Sequence, residues 1–202
     1  MLDAPIRKLI DPPLTAVASR IAAMGARADV LTVAGFASGL GAVVTIGSGH
    51  YLAGLGLLAA NRVFDGLDGA VARQSRSTDL GAYLDISLDF IVYAAIPFAF
   101  ALANPMCALA ASFLIVSFVS TGSTFLAYAI IAAKRGLSTE LRGIKSFYYL
   151  GGLTEGTETF IAFVLMCAFP QRFGVIAYVF GVLCFVTAGG RIAAAVEAFG
   201  AP

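Results

Sequence analysis

Four of the five aspartates in the run Asn61–Phe90 (NRVFDGLDGAVARQSRSTDLGAYLDISLDF), namely Asp65, Asp68, Asp85 and Asp89, stand at helical spacings in a chain otherwise built for lipid. The first two are three residues apart and the second two are four apart, so on helices each pair shares a face. A single unpaired aspartate at the middle of a bilayer costs roughly 2.5–3.5 kcal/mol on the insertion scale. The fold must therefore bring the four acids together around something that neutralises them. Divalent cations are the natural partner, and ligands offering only oxygen favour hard ions such as Mg²⁺ or Mn²⁺. Nothing suits zinc, because Cys107, Cys167 and Cys184 are scattered and the single histidine, His50, has no nearby partner.

The surroundings of these acids are apolar: 59% of the 202 residues are hydrophobic and 12% charged, which indicates an integral membrane protein of one domain, residues 1–202. A net charge of +1, with no basic tract interleaved with aromatics, excludes nucleic acid as a partner class. The cysteines lie in apolar stretches and read as small hydrophobes, with no disulfide framework. The start, MLDAPIRKLIDPP, lacks an apolar run after its basic residues and does not read as a cleaved signal peptide.

Taken in order, the chain predicts an all-α fold: a bundle of six transmembrane helices over 29–202, preceded by an N-terminal amphipathic interfacial segment over 1–28. In that segment apolar residues mix with Arg7, Lys8 and Arg20, and Pro12 and Pro13 interrupt it. Val30–Gly49 is the first span, with Asp29 as its expected N-cap and Gly35, Gly39, Gly41 and Gly47 for close helix approach. Tyr51–Arg73 and Asp79–Ala103 are the second and third. The short link between them makes these two antiparallel neighbours with their acidic ends together. A fourth span follows Asn104 and Pro105 and runs to Ala133, a fifth covers Thr159–Phe169 and a sixth Phe173–Ala195. With the N-terminus inside, the cytosolic side collects eleven Lys and Arg while the outer links hold only Arg172. By the positive-inside rule this puts the acids at the cytosolic face of an inner, cytoplasmic membrane. Arg62 alone lies within a span.

Asp65, Asp68, Gly69 and Ala72 form one helical stripe, and Gly81, Asp85 and Asp89 form a second. On spacing alone, Gly69 and Ala72 serve helix contact as readily as a ligand pocket. The whole pattern, Asp65-x2-Asp68-Gly69-x2-Ala72-Arg73-x7-Gly81-x3-Asp85-x3-Asp89, specifies eight positions over 25 residues. It resembles the signature of the CDP-alcohol phosphotransferases. Upstream, ADVLT is similar to the PNxLT-like entry of that family at Leu31 and Thr32, with Ala28 and Asp29 standing where the family has proline and asparagine.

The resemblance implies a transferase in which a hydroxyl attacks the β-phosphorus of a CDP-alcohol, forming a phosphodiester and releasing CMP. The implied donor is CDP-diacylglycerol and the acceptor a small polar alcohol. It further implies two Mg²⁺ or Mn²⁺ ions per site on Asp65, Asp68, Asp85 and Asp89, with Asp89 also the candidate catalytic base. Donor nucleotide contacts fall to Thr32, Asp68, Gly69, Ala72, Arg73 and Gly81. Facing acidic stripes suit a pair of ions about 3.5–4 Å apart bridging a pyrophosphate. Arg73 and Arg76 are further candidates for phosphate contacts. Lys134, Arg135, Arg142, Lys145 and Arg191 are candidates for a phosphorylated acceptor such as glycerol 3-phosphate or inositol phosphate, although topogenic loops look the same. Glu155 and Glu158 offer an alternative, attracting an amine-bearing acceptor such as serine or choline. An ion-coupled transporter or channel is the non-enzyme reading, since intramembrane acids also mark ion paths. A homodimer is expected from the resemblance and from the small-residue helix faces.

Overall fold

The computed structural model describes residues 3–25, 27–74, 78–136 and 152–200, with the backbone alone for 3–10. Among them every regular element is helical: α1 (Asp3–Ala23), α2 (Ala28–Gly47), α3 (Tyr51–Gln74), α4 (Asp79–Ala103), α5 (Ala108–Lys134), α6 (Gly156–Ala168) and α7 (Phe173–Phe199). Single 3₁₀ turns, Pro105–Cys107 and Pro170–Arg172, lead into α5 and α7, each opening on a proline whose missing N–H costs nothing at a helix start. Asn104 caps the first of these turns by accepting from the Met106 amide at 3.1 Å.

Among the described residues, four segments are long and apolar enough to cross a membrane: Ala28–Gly47, Asp79–Ala103, Pro105–Lys134 and Pro170–Phe199. The other two expected spans differ for separate reasons. Helix α3 has 24 residues, about 36 Å of rise, but carries Arg62, Asp65 and Asp68. Helix α6 has 13 residues, about 20 Å, short of a hydrocarbon core of about 30 Å. The outward faces are apolar. On α7, Val175, Val179, Val182 and Val186 recur at helical spacing, and each is more than half exposed. That face suits lipid rather than water.

Helix α2 is the spine of the site-bearing half, packed along both α3 and α4. Glycines allow this. A Cβ on Gly39 would lie 2.7 Å from Val92 Cγ2, and one on Gly35 3.0 Å from the Phe64 Cβ. By contrast, α3 and α4 are not a closely packed pair among the described residues. They are neighbours through α2, and the space left between them holds the acids. Further along, Ala42, Ile46, Leu58, Val92, Ile96 and Phe100 build the core, where Phe100 stacks on Tyr51 (5.3 Å) and Phe173 (4.5 Å).

The N-terminal region corrects two details. Pro12 and Pro13 lie inside α1, which runs through them without a break. Asp29 is not the N-cap of α2: that position is Arg27, without a side-chain cap, and Asp29 sits in the first turn, where its charge still complements the helix dipole. Helix α1 packs on the acidic end of α3, with Ala18 fully buried beside Ala70 and Val71. Ser19 Oγ donates to Gln74 Oε1 at 2.9 Å.

Candidate active site

The acids gather where α2, α3 and α4 meet. One carboxylate oxygen from each of Asp65, Asp68 and Asp85 lies within 4.8 Å of the others. All four aspartates line one small cavity of about 10 Å³ together with Thr32, Gly35, Asn61 and Leu88. That is room for about one water-sized centre. Thr32, from the first turns of α2, donates its hydroxyl to Asp68 Oδ2 at 2.6 Å, which orients the most deeply buried acid of the group. Three convergent carboxylates of this kind are an oxygen-only donor set suited to a hard divalent cation.

Asp89 is engaged differently. Arg62, one turn before Asp65 on α3, reaches across to α4 and binds both Asp89 oxygens, Nη2 to Oδ1 and Nη1 to Oδ2 at 3.2 Å. Nη1 also meets Asp65 Oδ2 at 3.4 Å and donates to the Tyr93 hydroxyl at 2.9 Å. Nε and Nη2 donate to Asn61 Oδ1 at 3.0 and 2.9 Å. The buried Asn61 is itself fixed by donating Nδ2 to the Gly35 carbonyl at 2.9 Å, and the guanidinium carbon stands 5.3 Å from the Tyr93 ring centre. Every donor direction of the fork is thereby used, which holds its geometry. Arg62, Asn61 and Tyr93 are the residues in contact with the acid cluster to which the sequence analysis gave no role. The available signal was an arginine inside a span, three residues before an acid on the same helix.

A second cavity of about 270 Å³ adjoins the first, sharing Thr32, Asp68 and Asp85 with it. Gly69, Ala72, Arg73 and Gly81 line it as well, so all six residues proposed for the donor nucleotide surround one space. Ala28, Asp29, Thr78 and Ala82 complete the wall. Thr78 caps α4 by accepting from the Gly81 amide at 3.0 Å. The two glycines have different reasons to be small. A Cβ on Gly81 would meet Asp29 Oδ1 at 2.9 Å and Thr78 Oγ1 at 3.0 Å, whereas one on Gly69 would meet only Arg73 Nη1 at 3.5 Å. Among the described residues Gly69 thus meets no neighbouring helix; it lines the cavity.

A third cavity, about 560 Å³, lies between α4, α5, α7 and the start of α6. Aromatic Phe90, Tyr93, Phe118 and Phe125 line it alongside Thr121, Thr154, Glu155 and Arg191. Arg191, 8% exposed, donates Nη1 to the Thr121 carbonyl at 2.9 Å and stands over the Phe125 ring. Of the other basic candidates, Lys134 and Arg135 are exposed at the end of α5 and line none of these cavities. Arg135 instead donates to the Ala198 and Phe199 carbonyls at the end of α7. Arg76, Arg142 and Lys145 lie outside the described residues. Glu155 and Glu158 form a reciprocal capping box at the start of α6, in which the Glu155 amide donates to Glu158 Oε2 at 3.1 Å.

Fold and site together define an all-helical membrane protein with an acidic centre, able to hold cations, beside a pocket of phosphate-ester size. The chain belongs to the CDP-alcohol phosphatidyltransferase family, whose model matches residues 26–191 and thus spans the whole acidic motif. Family membership makes it a transferase of phospholipid synthesis and displaces the channel reading. Over 193 residues the chain is 48% identical to the inner membrane protein YnjF of Escherichia coli (strain K12), covering 95% of this chain and 94% of that one. Over 85 residues it is 44% identical to the archaetidylinositol phosphate synthase of Methanothermobacter thermautotrophicus, 42% of this chain and 40% of the relative. The crystal structure of Mycobacterium tuberculosis phosphatidylinositol phosphate synthase with CDP-DAG bound shares the fold, with a TM-score of 0.64 at 24% identity over 91% of this chain and 93% of the other.

Proposed function

We propose that the protein transfers a phosphatidyl group from CDP-diacylglycerol to a small phosphorylated polyol, inositol phosphate or glycerol 3-phosphate, releasing CMP. The observation that carries this reading is the pocket of about 270 Å³ enclosed by Thr32, Asp68, Gly69, Ala72, Arg73 and Gly81 and opening onto the acid cluster. Asp65, Asp68, Asp85 and Asp89 would hold divalent cations, Mg²⁺ or Mn²⁺. Such ions supply positive charge to the donor pyrophosphate and to the leaving CMP phosphate. In this scheme the acceptor oxygen forms a bond to the β-phosphorus, the bond from that phosphorus to the CMP oxygen breaks, and the hydroxyl proton leaves toward Asp89 or solvent. Held by Arg62, the Asp89 carboxylate serves chiefly to aim the hydroxyl.

The acceptor belongs in the cavity of about 560 Å³, where Arg191 supplies a buried positive charge and Thr121, Thr154 and Thr159 supply hydroxyls. The archaeal relative, by its name an archaetidylinositol phosphate synthase, supports an inositol phosphate acceptor. An amine-bearing acceptor would call on Glu155 and Glu158, both of which are tied into the cap of α6.

The single domain is proposed to form a six-helix membrane bundle of α2 to α7, with the charges of α3 turned inward and the polar lead-in to α6 making up for its short apolar length. Helix α1 would then lie at the cytosolic interface, with the N-terminus and active site on that side, and the protein would be a homodimer in the inner membrane. The test is incubation of purified protein with labelled CDP-diacylglycerol, Mg²⁺ and a panel of alcohols. CMP release that depends on inositol phosphate or glycerol 3-phosphate supports the proposal. Release only with serine or choline overturns the acceptor assignment.

A further inference from the structure

Nothing in the proposed chemistry requires an arginine between the two acidic stripes, yet Arg62 makes more polar contacts than any other described side chain of the site. It touches Asp65 and both oxygens of Asp89, and Asn61 and Tyr93 hold it there. The guanidinium therefore covers the side of the acid cluster that Asp89 would contribute and touches the trio of Asp65, Asp68 and Asp85 only at Asp65, through a longer contact of 3.4 Å.

We propose that Arg62 is a positioning residue that grades cation binding: a first divalent ion takes Asp65, Asp68 and Asp85, and a second, which must draw on Asp89, binds in competition with the Arg62 guanidinium. This inference rests on the metal-dependent reading above. Geometry supports it first, since a bidentate Arg–carboxylate pair uses the same Asp89 lone pairs that a cation would use. Charge balance supports it second. Four ionised carboxylates and one guanidinium leave three negative charges; one divalent ion reduces these to one, and a second would turn the centre positive. Among side chains that are at least half-buried, that last step is the unfavourable one. A residue with these contacts also keeps Asp89 aimed while the second ion is absent. An ion that binds only the fraction of molecules in which Arg62 has released Asp89 has its apparent affinity reduced by that fraction, so a release of about one part in ten weakens it about tenfold.

The test is a Mn²⁺ titration of the purified full-length protein in detergent, without nucleotide, read by the paramagnetic resonance of free Mn²⁺ and by calorimetry. Wild type should show a tight step and a second step weaker by about tenfold or more. Arg62→Gln should tighten the second step by about the same factor, and Asp89→Asn in that background should remove it. Tyr93→Phe deletes the hydroxyl that accepts from Nη1 but alters no charge, so it should shift the second step the same way by a few-fold. It also keeps the test decisive if Arg62→Gln fails to fold. Two equal steps in wild type, or a second step unmoved in folded Arg62→Gln and Tyr93→Phe, would overturn the inference while leaving the metal-dependent reading intact. Folded wild type that binds no Mn²⁺ would overturn both.

Discussion

At the scale of single residues, the aspartates do unequal work. Asp68 is buried and fixed by Thr32, Asp65 and Asp85 complete the oxygen trio, and Asp89 is shared with Arg62. We expect Asp65→Asn, Asp68→Asn and Asp85→Asn each to lower Mg²⁺-dependent CMP release by more than about a hundredfold, since loss of groups that merely support metal ligands costs about 10–100-fold. Elution as a folded species from a sizing column is the control. Retention of full turnover by any of the three would remove that residue from the cation site. Gly69→Val tests the donor end. Its Cβ has room, so the fold should persist, but the added methyls enter the cavity of about 270 Å³. CDP-diacylglycerol binding should fall for every acceptor, while Mn²⁺ binding stays near wild type.

Helix scale explains what the sequence revealed and what it hid. The limits of α3 and α4 were legible almost to the residue, because each is a span-length apolar run and only a short polar link separates them. The acidic stripes were legible because helical spacing needs no tertiary information. The role of Arg62 was not, because a long flexible side chain near the middle of a helix can turn to several neighbours, and only the position of α4 relative to α3 selects Asp89. That relative position comes from α2, through contacts at Gly35 and Gly39 that the sequence shows only as small residues. Helix α1 was misread at Pro12 and Pro13, since packing of Ala18 on α3 outweighs the intrinsic preference of proline to break a helix. Gly39→Leu checks the spine. Its Cβ alone would overlap Val92, so overpacking should cost about 1–3 kcal/mol. Thermal unfolding in detergent should show a lower midpoint, and metal affinity should fall with it because α2 sets the spacing between the stripes. An unchanged midpoint would mean that α2 and α4 separate freely.

Across the whole molecule, the proposed labour divides between two halves that meet at α4. Helices α2, α3 and α4 enclose the acids and the donor pocket, while α4, α5 and α7 enclose the cavity that holds Arg191. Tyr93 faces both, supporting Arg62 on one side and lining the larger cavity on the other. Substitutions in the second half should therefore change acceptor use without changing donor use. Arg191→Gln removes the buried charge, and charge-assisted hydrogen bonds contribute about 1.5–3 kcal/mol, so the acceptor KM should rise about ten- to a hundredfold. The effect should be confined to phosphorylated acceptors, with the KM for CDP-diacylglycerol near wild type. Arg191→Lys should recover only part of the loss, because a point charge cannot reproduce the planar fork that bonds the Thr121 carbonyl. Lys134→Gln and Arg135→Gln are the contrast: both side chains are exposed, and Arg135 is spent on the end of α7, so neither should move the acceptor KM. A rise in KM with these two and none with Arg191→Gln would shift acceptor recognition from the buried cavity to the basic surface at the end of α5.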